Sequence, residues 1–511
     1  MTQFKISDYE TIKNAMVNRD LKQALYDEGK VIMDGVLLTL HGEEHHKRRK
    51  LEHKVFQRDY FKYYEQELFP KTLDETIDPF LKSKKADLID FGYRITMNLT
   101  ADFAGIDRTQ KTPNETNKLL TLVKKFSEGA TLVHSKRDKS IVEKEVLDAL
   151  DVFEIDFLKP SIEKRLKLIS AYNNAEIKKD QLPRDVLTVL LMNEDDININ
   201  DDIIKKEIAF YLQAGSHSTA NSMTHAFHEI SNWINNDKQK FNKIKNDPIF
   251  LQKCVHESMR LHPASPVAWR KPTCPVKIEK NTHLKEDDLL VMDLYTANRD
   301  VGIFGEDANS FNPDRELKSQ QNLWGLTFGI GLHMCFGRDL DGGVSPNQET
   351  DPSKHQYGVV TLLIKKLFEH NVQRDPKNKP ERDIKTERPN WGKIPCNIWR
   401  KKMKNAIVTG ASNGIGLEIS KKLSENGKFI VEIPAEGEFL WWLGWRLTTG
   451  IGFWLKYRLD YGVIIRFEHV NKAHKVIVSL KKYFKVVHLN SFPLNFKNWR
   501  LYIHIVLTKK N

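Results

Sequence analysis

The sequence predicts a mainly α chain with a minor β part. Three observations carry that reading: long stretches of helical apolar period before residue 270, a short interval of β-prone runs after it, and loop-forming clusters of Pro, Asp, Asn and Gly further on. Of the 511 residues, 40% are hydrophobic and 29% charged, which excludes a wholly disordered chain, a collagen-like fibre and a polytopic membrane protein. The four cysteines, Cys254, Cys274, Cys335 and Cys396, are too few for a disulfide-rich secreted scaffold. Their spacing fits neither a zinc site nor CxxC redox chemistry.

The elements follow in chain order. In "DYETIKNAMVNRDLKQAL", Tyr9, Ile12, Ala15 and Met16 fall on one helical stripe. "LDALDVFEIDFLKPSIEKRLKLISAYNNAEI" is a long helical pattern with a predicted break at Pro160. "DDIIKKEIAFYLQAGSHSTANSMTHAFHEISNWINN" has few breakers and predicts one long helix, apolar in its first half. Residues 270–300 alternate short β-prone runs with turn residues, and 340–356 and 374–392 predict loops.

The charge is unevenly placed. The formal net charge is +12, and residues 401–511 hold 19 basic and 7 acidic side chains, leaving 61 of each in residues 1–400. The positive excess therefore says nothing about a nucleic-acid or anionic-membrane partner for the first 400 residues. It predicts a chain made of two stretches of different character. Met1 to Glu10 is polar with no apolar h-region behind it, and no run of 18 apolar residues occurs, so a cytoplasmic location is the expectation.

The strongest local signal is "TFGIGLHMCFGRDL", where Phe328, Gly329, Gly331, His333, Cys335 and Gly337 stand as F-G-x-G-x-H-x-C-x-G. A buried iron held by one thiolate needs a tight loop that brings backbone N–H groups toward the sulfur. Glycines permit that loop, Phe328 can shield the sulfur, and His333 is placed to bond a haem propionate. A glycine-rich turn with an inert cysteine is the plainer alternative. The segment resembles the haem-thiolate loop of the cytochrome P450 family.

Other stretches resemble that family in the same order along the chain. "CVHESMRLHPASPVAWRK" is similar to its ExxR helix and following strand, with Glu257 and Arg260 at i,i+3 on one helix face. The resemblance implies that this pair ties to Arg315 of "FNPDRE", as a structural core, and that Arg270 of "VAWR" contacts a propionate. "AGSHSTAN" looks like the family's oxygen-binding segment, in which Gly215 opens room for O2 and an acid and an alcohol relay protons. Ser218 stands at the alcohol position, Thr219 beside it, and His217 replaces the acid. Histidine relays protons near neutral pH, so monooxygenase chemistry is compatible with the change. "HGEEHHKRRKL" resembles the third-helix H-x-x-x-R motif, with His45 and Arg49 at i,i+4 able to reach one propionate; a solvated basic helix end is the alternative.

The resemblance covers residues 8 to 400 and implies a cytochrome P450-like fold holding haem b. The family has several tens of residues before the helix that matches "DYETIKNAM", so this chain reads as N-terminally shortened. The insertion "DGGVSPNQETDPSKHQ" after Cys335 is also unusual, and predicts a delay of the helix that follows the ligand.

Residues 401–433 resemble the opening of a short-chain dehydrogenase, an incomplete Rossmann-like βα fragment in which Thr409, Gly410, Gly414 and Gly416 match TGxxxGxG. NAD(P) is implied only if this fragment works, and no Tyr-x-x-x-Lys follows Gly416. Residues 434–511 form a basic, aromatic, unclassified tail without clear period, read as no independent domain. A membrane contact through this tail is a secondary reading, and no nucleic acid is expected.

The sequence thus points to a haem-thiolate monooxygenase with Cys335 as metal ligand. Gly215, His217, Ser218 and Thr219 shape the oxygen pocket. His45, Arg49, Arg270, Phe328, Gly331, His333 and Gly337 hold the cofactor. A small organic substrate, O2, and separate ferredoxin and ferredoxin reductase donors are the implied partners. An NAD(P)-dependent reductase and a haem-binding protein without turnover are the alternatives.

Overall fold

A computed structural model describes residues 2–82, 85–193, 199–279, 282–317, 321–347 and 349–398, with segments 407–409, 429–434, 481, 484–493 and 500–509 of the remainder. The chain divides into two units, Met1–Trp399 and Arg400–Asn511.

In the first unit the helices that position the site are α1 (Tyr9–Val17), α2 (Gly42–Glu52), α3 (Leu88–Ala104), α4 (Pro113–Ala130), α5 (Asp201–Ile234), α6 (Pro248–Leu261), α7 (Arg338–Asp341) and α8 (Val359–Glu369). Helix α1 forms as its stripe predicts. Asp8 caps it by accepting the Thr11 N–H at 2.7 Å, and Tyr9, Ile12, Ala15 and Met16 are buried. Helix α5 runs 34 residues, with Asn200 accepting the Ile203 N–H as its cap. Its middle is buried on nearly every side, because α3, α4, α6 and α8 all pack on it. It is the axis of the main core, which also holds Phe91, Phe126, Phe153 and Phe227.

The predicted break at Pro160 is absent. Helix 139–153 passes through one π-turn, Glu154–Leu158, into the helix Lys159–Asn173. Pro160 then stands in the first turn of the second helix, where its missing N–H costs nothing. The π-turn absorbs what would otherwise be a kink.

Apart from a small hairpin of Val276–Glu279 with Thr282–Leu284, the described strands of this unit are β1 (Gln3–Ile6), β2 (Leu21–Gln23), β3 (Lys85–Asp87), β4 (Val267–Pro272), β5 (Leu289–Asp293), β6 (Val372–Arg374), β7 (Glu381–Arg382), β8 (Trp391–Lys393) and β9 (Pro395–Ile398). One sheet has the order β1-β5-β4-β2, with β1 parallel to β5 and the other pairs antiparallel. A second has the order β3-β9-β6, all antiparallel, and β7 pairs with β8 in a separate ribbon.

A buried ion cluster ties α6 to the loops beyond the sheet. Glu257 accepts from Arg260 Nε at 2.8 Å and Nη2 at 2.7 Å, and from Arg315 Nη2 at 3.1 Å. Arg260 Nη1 also donates to the carbonyls of Asn298 (2.6 Å) and Ala308 (2.7 Å). All three side chains are nearly inaccessible to solvent. Two guanidinium groups face Glu257, and the carbonyls and Asp307 take the remaining donors, so the desolvated charges are matched.

The insertion behaves as its composition predicts. Helix α7 stops after four residues, and α8 starts only at Val359. The intervening excursion closes on itself: Val344 N–H bonds Gln356 C=O at 3.0 Å. Gln252 Nε2 donates to Gly342 C=O at 3.0 Å and Tyr357 C=O at 3.1 Å, and Glu65 accepts the Tyr357 N–H at 2.9 Å. The neck is therefore held from both sides by the helical core.

In the second unit, β10 (Ile407–Thr409), β11 (Phe429–Pro434), β12 (Phe484–Pro493) and β13 (Arg500–Lys509) form a sheet of order β10-β11-β13-β12. Strands β10 and β11 are parallel, as a βα crossover requires, but β13 is antiparallel to both its neighbours. The sheet is thus mixed, and part of the tail without visible period is strand. Gly410, Gly414 and Gly416 lie outside the described residues. Among the described residues no helix is long and apolar enough to cross a membrane.

Removing Glu257 leaves two buried guanidinium groups uncompensated. Glu257→Ala is expected to lower stability by about 3–5 kcal/mol, read as a lowered midpoint in denaturant unfolding followed by far-UV circular dichroism. A midpoint within error of the parent would contradict the cluster's structural role.

Candidate functional site

The loop around Cys335 is fixed from the ion cluster outward. Asn298, whose carbonyl binds Arg260, accepts the Leu326 N–H at 2.8 Å and donates to Thr327 Oγ1 at 3.2 Å. Thr327 in turn donates to Met259 C=O of α6 at 2.8 Å. The Cys335 N–H then closes the turn on Phe328 C=O at 2.9 Å. Gly331 has φ +73°, and a Cβ there would lie 2.9 Å from Met16 C=O of α1, so only glycine fits. The Gly337 N–H is directed to the Cys335 sulfur, the donor that a thiolate-holding loop needs.

Cys335 lines a cavity of about 360 Å³ between this loop, α2, α3 and α5. Its accessible area is cavity surface, not outer surface. Burial pushes its thiol up to about 11, with the nearby Asp341 adding to the rise and the Gly337 N–H, Arg49 and Arg338 opposing it. The free thiol is therefore protonated at neutral pH, and a coordinated cation reverses that balance.

The charged groups on the wall are mostly cationic. Arg49, Arg270 and Arg388 line the cavity against one acid, Asp341. Arg49 donates to Met334 C=O at 2.6 Å and lies over the Phe336 ring at 4.0 Å. Arg270 donates to Gln23 Oε1 and Trp269 C=O, both at 2.9 Å, and burial lowers it to about 10. His45 and His333 bring their rings to 4.5 Å. Burial lowers His45 to about 4 and His333 to about 3, with the neighbouring cations adding to the effect. His45 Nε2 and His333 Nδ1 are buried without a hydrogen-bond partner. Two guanidinium groups lacking carboxylates, beside two unpartnered imidazole nitrogens, fit an anionic group at this end of the cavity. The two propionates of the haem implied by the sequence are such groups, so the residues present fit the cofactor.

Helix α5 supplies the facing wall. Gly215 lets α3 approach: a Cβ there would lie 2.7 Å from the Thr100 side chain. Ser218 Oγ donates back to Ala214 C=O within its own helix. Thr219 Oγ1 donates to Asp341 Oδ1 at 2.6 Å, joining α5 to α7. Burial raises Asp341 to about 6, opposed by that hydrogen bond. His217 Nδ1 meets the Tyr93 hydroxyl at 2.8 Å, and its Nε2 has no partner. Burial, and after it the charge of Arg388, lowers His217 to about 3. The imidazole is neutral at neutral pH, which differs from a group poised to titrate there; it can pass a proton only by exchanging its ring tautomer.

Three contributors escaped the sequence. On α2, Arg48 turns inward beside Arg49, bridging Glu52 at 3.1 Å and Glu207 of α5 at 2.5 Å, while the Tyr211 hydroxyl donates to Glu52. Burial raises both carboxyls, Glu207 most, and sets two acids against one guanidinium. Asp341 lies in the same "GRDLD" run as the cysteine loop, but nothing in a local pattern announces its partner 122 residues away. Arg388 is a single arginine in a polar loop and carries no pattern at all.

Comparison with known proteins gives a family and a fold. The family model described as Cytochrome P450 matches residues 2–340. The cytochrome P450 monooxygenase asR2 of Sarocladium schorii is 32% identical over 154 residues, 25% of this chain and 30% of that protein. Cytochrome P450 52C1 of Candida tropicalis is 26% identical over 173 residues, 28% of this chain and 32% of that protein. The chain thus spans about a third of the length of these curated relatives. Among solved structures, CYP109E1 from Bacillus megaterium in complex with corticosterone aligns with TM-score 0.57 at 16% identity, covering 77% of this chain and 92% of that one. P450BioI in complex with an acyl carrier protein ligated to hexadec-9Z-enoic acid aligns with TM-score 0.59 at 15% identity over the same shares. At these identities the likeness is one of fold.

The low value at His217 has a consequence for stability. An unfolded histidine binds a proton below about pH 6.5, whereas the folded one stays neutral down to about 3. Stability from this residue is therefore present above pH 6.5 and lost as pH falls. His217→Gln should reduce the loss of unfolding free energy between pH 7 and pH 5 by about 2 kcal/mol relative to the parent. Parallel pH profiles for the two proteins would contradict a neutral, buried His217.

Proposed function

The chain belongs to the cytochrome P450 family, and on that premise we propose that it is a haem-thiolate monooxygenase, inserting one atom of O2 into an organic substrate with two externally supplied electrons. One observation carries the proposal: a lone thiol in an N–H-donating loop faces a cavity whose cations outnumber its acids. Haem b, the family's cofactor, supplies when bound the iron at which O2 is activated against a C–H bond.

The chain's own residues have separable tasks in this proposal. Cys335 would ligate the metal, with the Gly337 N–H moderating the charge on sulfur. Arg270, His333, His45 and Arg49 would hold the propionates, whose charge would relieve the buried guanidinium groups. Phe328 packs edge-on against Trp324 at 5.5 Å, and Phe336 stacks on Phe56 at 4.7 Å, so aromatic rings back the loop and exclude water. On α5, the Ser218 and Thr219 hydroxyls hold protons at the cavity wall, and His217 holds one on its ring without carrying charge. Electrons would come from separate carriers, for which a ferredoxin with its reductase is the proposed class. For the C-terminal unit the mixed sheet and the lack of Tyr-x-x-x-Lys after Gly416 leave dehydrogenase activity without support.

Purified protein, reduced and treated with CO, should give the strongly red-shifted Soret band of a thiolate-ligated haem. Cys335→Ala should abolish that band, and Cys254→Ala, at a buried core position, should keep it. Loss of the band in both variants, or in neither, would overturn the assignment.

A further inference from the structure

Arg388 is a buried cation without an anion. It lies in the loop between β7 and β8, and backbone bonds pin that loop to the segment after α4: Lys136 N–H to Lys385 C=O at 3.1 Å and Glu387 N–H to His134 C=O at 3.0 Å. The side chain is 7% exposed and lines the cavity. Of its five N–H donors one reaches Ala264 C=O, at 3.5 Å, and Nε has no partner. No carboxylate is among the groups that act on it; the two that do are the neutral phenols of Tyr26 and Tyr93. Its own charge depresses His217 and His134. The cations that act on His333, by contrast, are Arg270 and Arg49. Tyr26 lies within reach of both Arg388 and Arg270, but Arg388 is not among the groups that act on His45 or His333, the imidazoles assigned to the propionates.

Burying an unpaired guanidinium is costly, and a fold gains nothing from it without a ligand. We propose that Arg388 is a substrate-recognition residue that binds the carboxylate of an apolar organic acid. The charge count selects a carboxylate over a phosphate monoester. His217 and His134 are neutral, so one guanidinium offsets one negative charge. Beside it, His217 Nδ1 meets the Tyr93 hydroxyl at 2.8 Å, and the other ring nitrogen, Nε2, is buried without a partner. Much of the rest of the wall, including Leu25, Leu37, Phe103, Phe210 and Val267, is apolar and suits the body of such an acid. The inference rests on the monooxygenase reading only in naming the ligand a substrate.

The test is calorimetric titration of the full-length protein, its Arg388→Met variant and its Arg388→Lys variant. The probes are dodecanoate, 3-phenylpropanoate and their methyl esters. The parent should prefer at least one acid over its ester, and Arg388→Met should weaken that acid by about 30-fold or more while leaving the ester unchanged. Arg388→Lys should recover part of the preference. Arg388→Met should also melt at a higher temperature than the parent, since it removes an unpaired buried charge; an arginine kept for structure would lower it. Equal affinity for acid and ester in the parent, no binding of either acid, or undiminished acid binding in Arg388→Met each overturns the proposal. So does loss of haem affinity in Arg388→Met, which would place Arg388 among the propionate ligands. If the parent shows the Arg388-dependent acid preference but no thiolate CO band, the carboxylate site stands and the oxygenase reading falls.

Discussion

Everything at the site hangs from the buried pairing of Glu257 with Arg260 and Arg315. It sits at the end of α6 and fixes, through Arg260, the carbonyls of Asn298 and Ala308. Asn298 then aligns the Leu326 N–H and Thr327, and Thr327 returns to α6 at Met259. The loop bearing Cys335 begins one residue later. A chain of charge-assisted and neutral hydrogen bonds therefore runs from the ion cluster to the sulfur. Its expense in desolvation is justified by position more than by stability, because an apolar replacement of equal volume would pack well yet leave the loop unaligned.

The cavity is shaped by a second imbalance. Protein interiors avoid unpaired charge, and the Arg48–Glu52–Glu207 group keeps its charges in contact with opposite ones. The wall facing Cys335 does not follow suit, since Arg270 and Arg388 lack carboxylate partners and three imidazole nitrogens, on His45, His217 and His333, are left without bonds. Local departures of this kind are expected where the missing partner is a ligand. The departures also sort by partner: those on His45, His333 and Arg270 match the acid groups of a cofactor, and Arg388 with His217 Nε2 is left over.

Much of this was legible because it is local. The stripe Tyr9, Ile12, Ala15, Met16 fixed α1, and the spacing of Glu257 with Arg260 and of the glycines around Cys335 encodes contacts within a turn or two. What was not legible depends on distant partners or on backbone adjustment. The π-turn ahead of Pro160 defeats a rule that treats proline as a breaker. Asp341 finds Thr219, and Arg388 finds nothing charged, only after the chain has folded. His217 reads from its type as a group that titrates near neutrality, and burial takes that property away. In the C-terminal unit, the antiparallel addition of β13 to β11 joins segments some seventy residues apart, and no local period announces it.

The insertion after α7 shows how the site tolerates a break so near its ligand. A helix of four residues has no cooperative stability of its own. Its end is held from outside instead. Asp341 is clamped by Thr219, and His256 meets Gly342 C=O at 2.7 Å, so two long helices grip the point where the chain leaves. Gln252 and Glu65 hold the point where it returns. Because loop-closure entropy grows only slowly with length, the excursion between those grips adds little further cost. The residues that secure the break are thus Thr219 of α5, Gln252 and His256 of α6 and Glu65 of the helical stretch before α3, and the cysteine loop keeps its geometry because its anchors precede the insertion in the fold, at Asn298 and Met259, and owe nothing to the helix that follows.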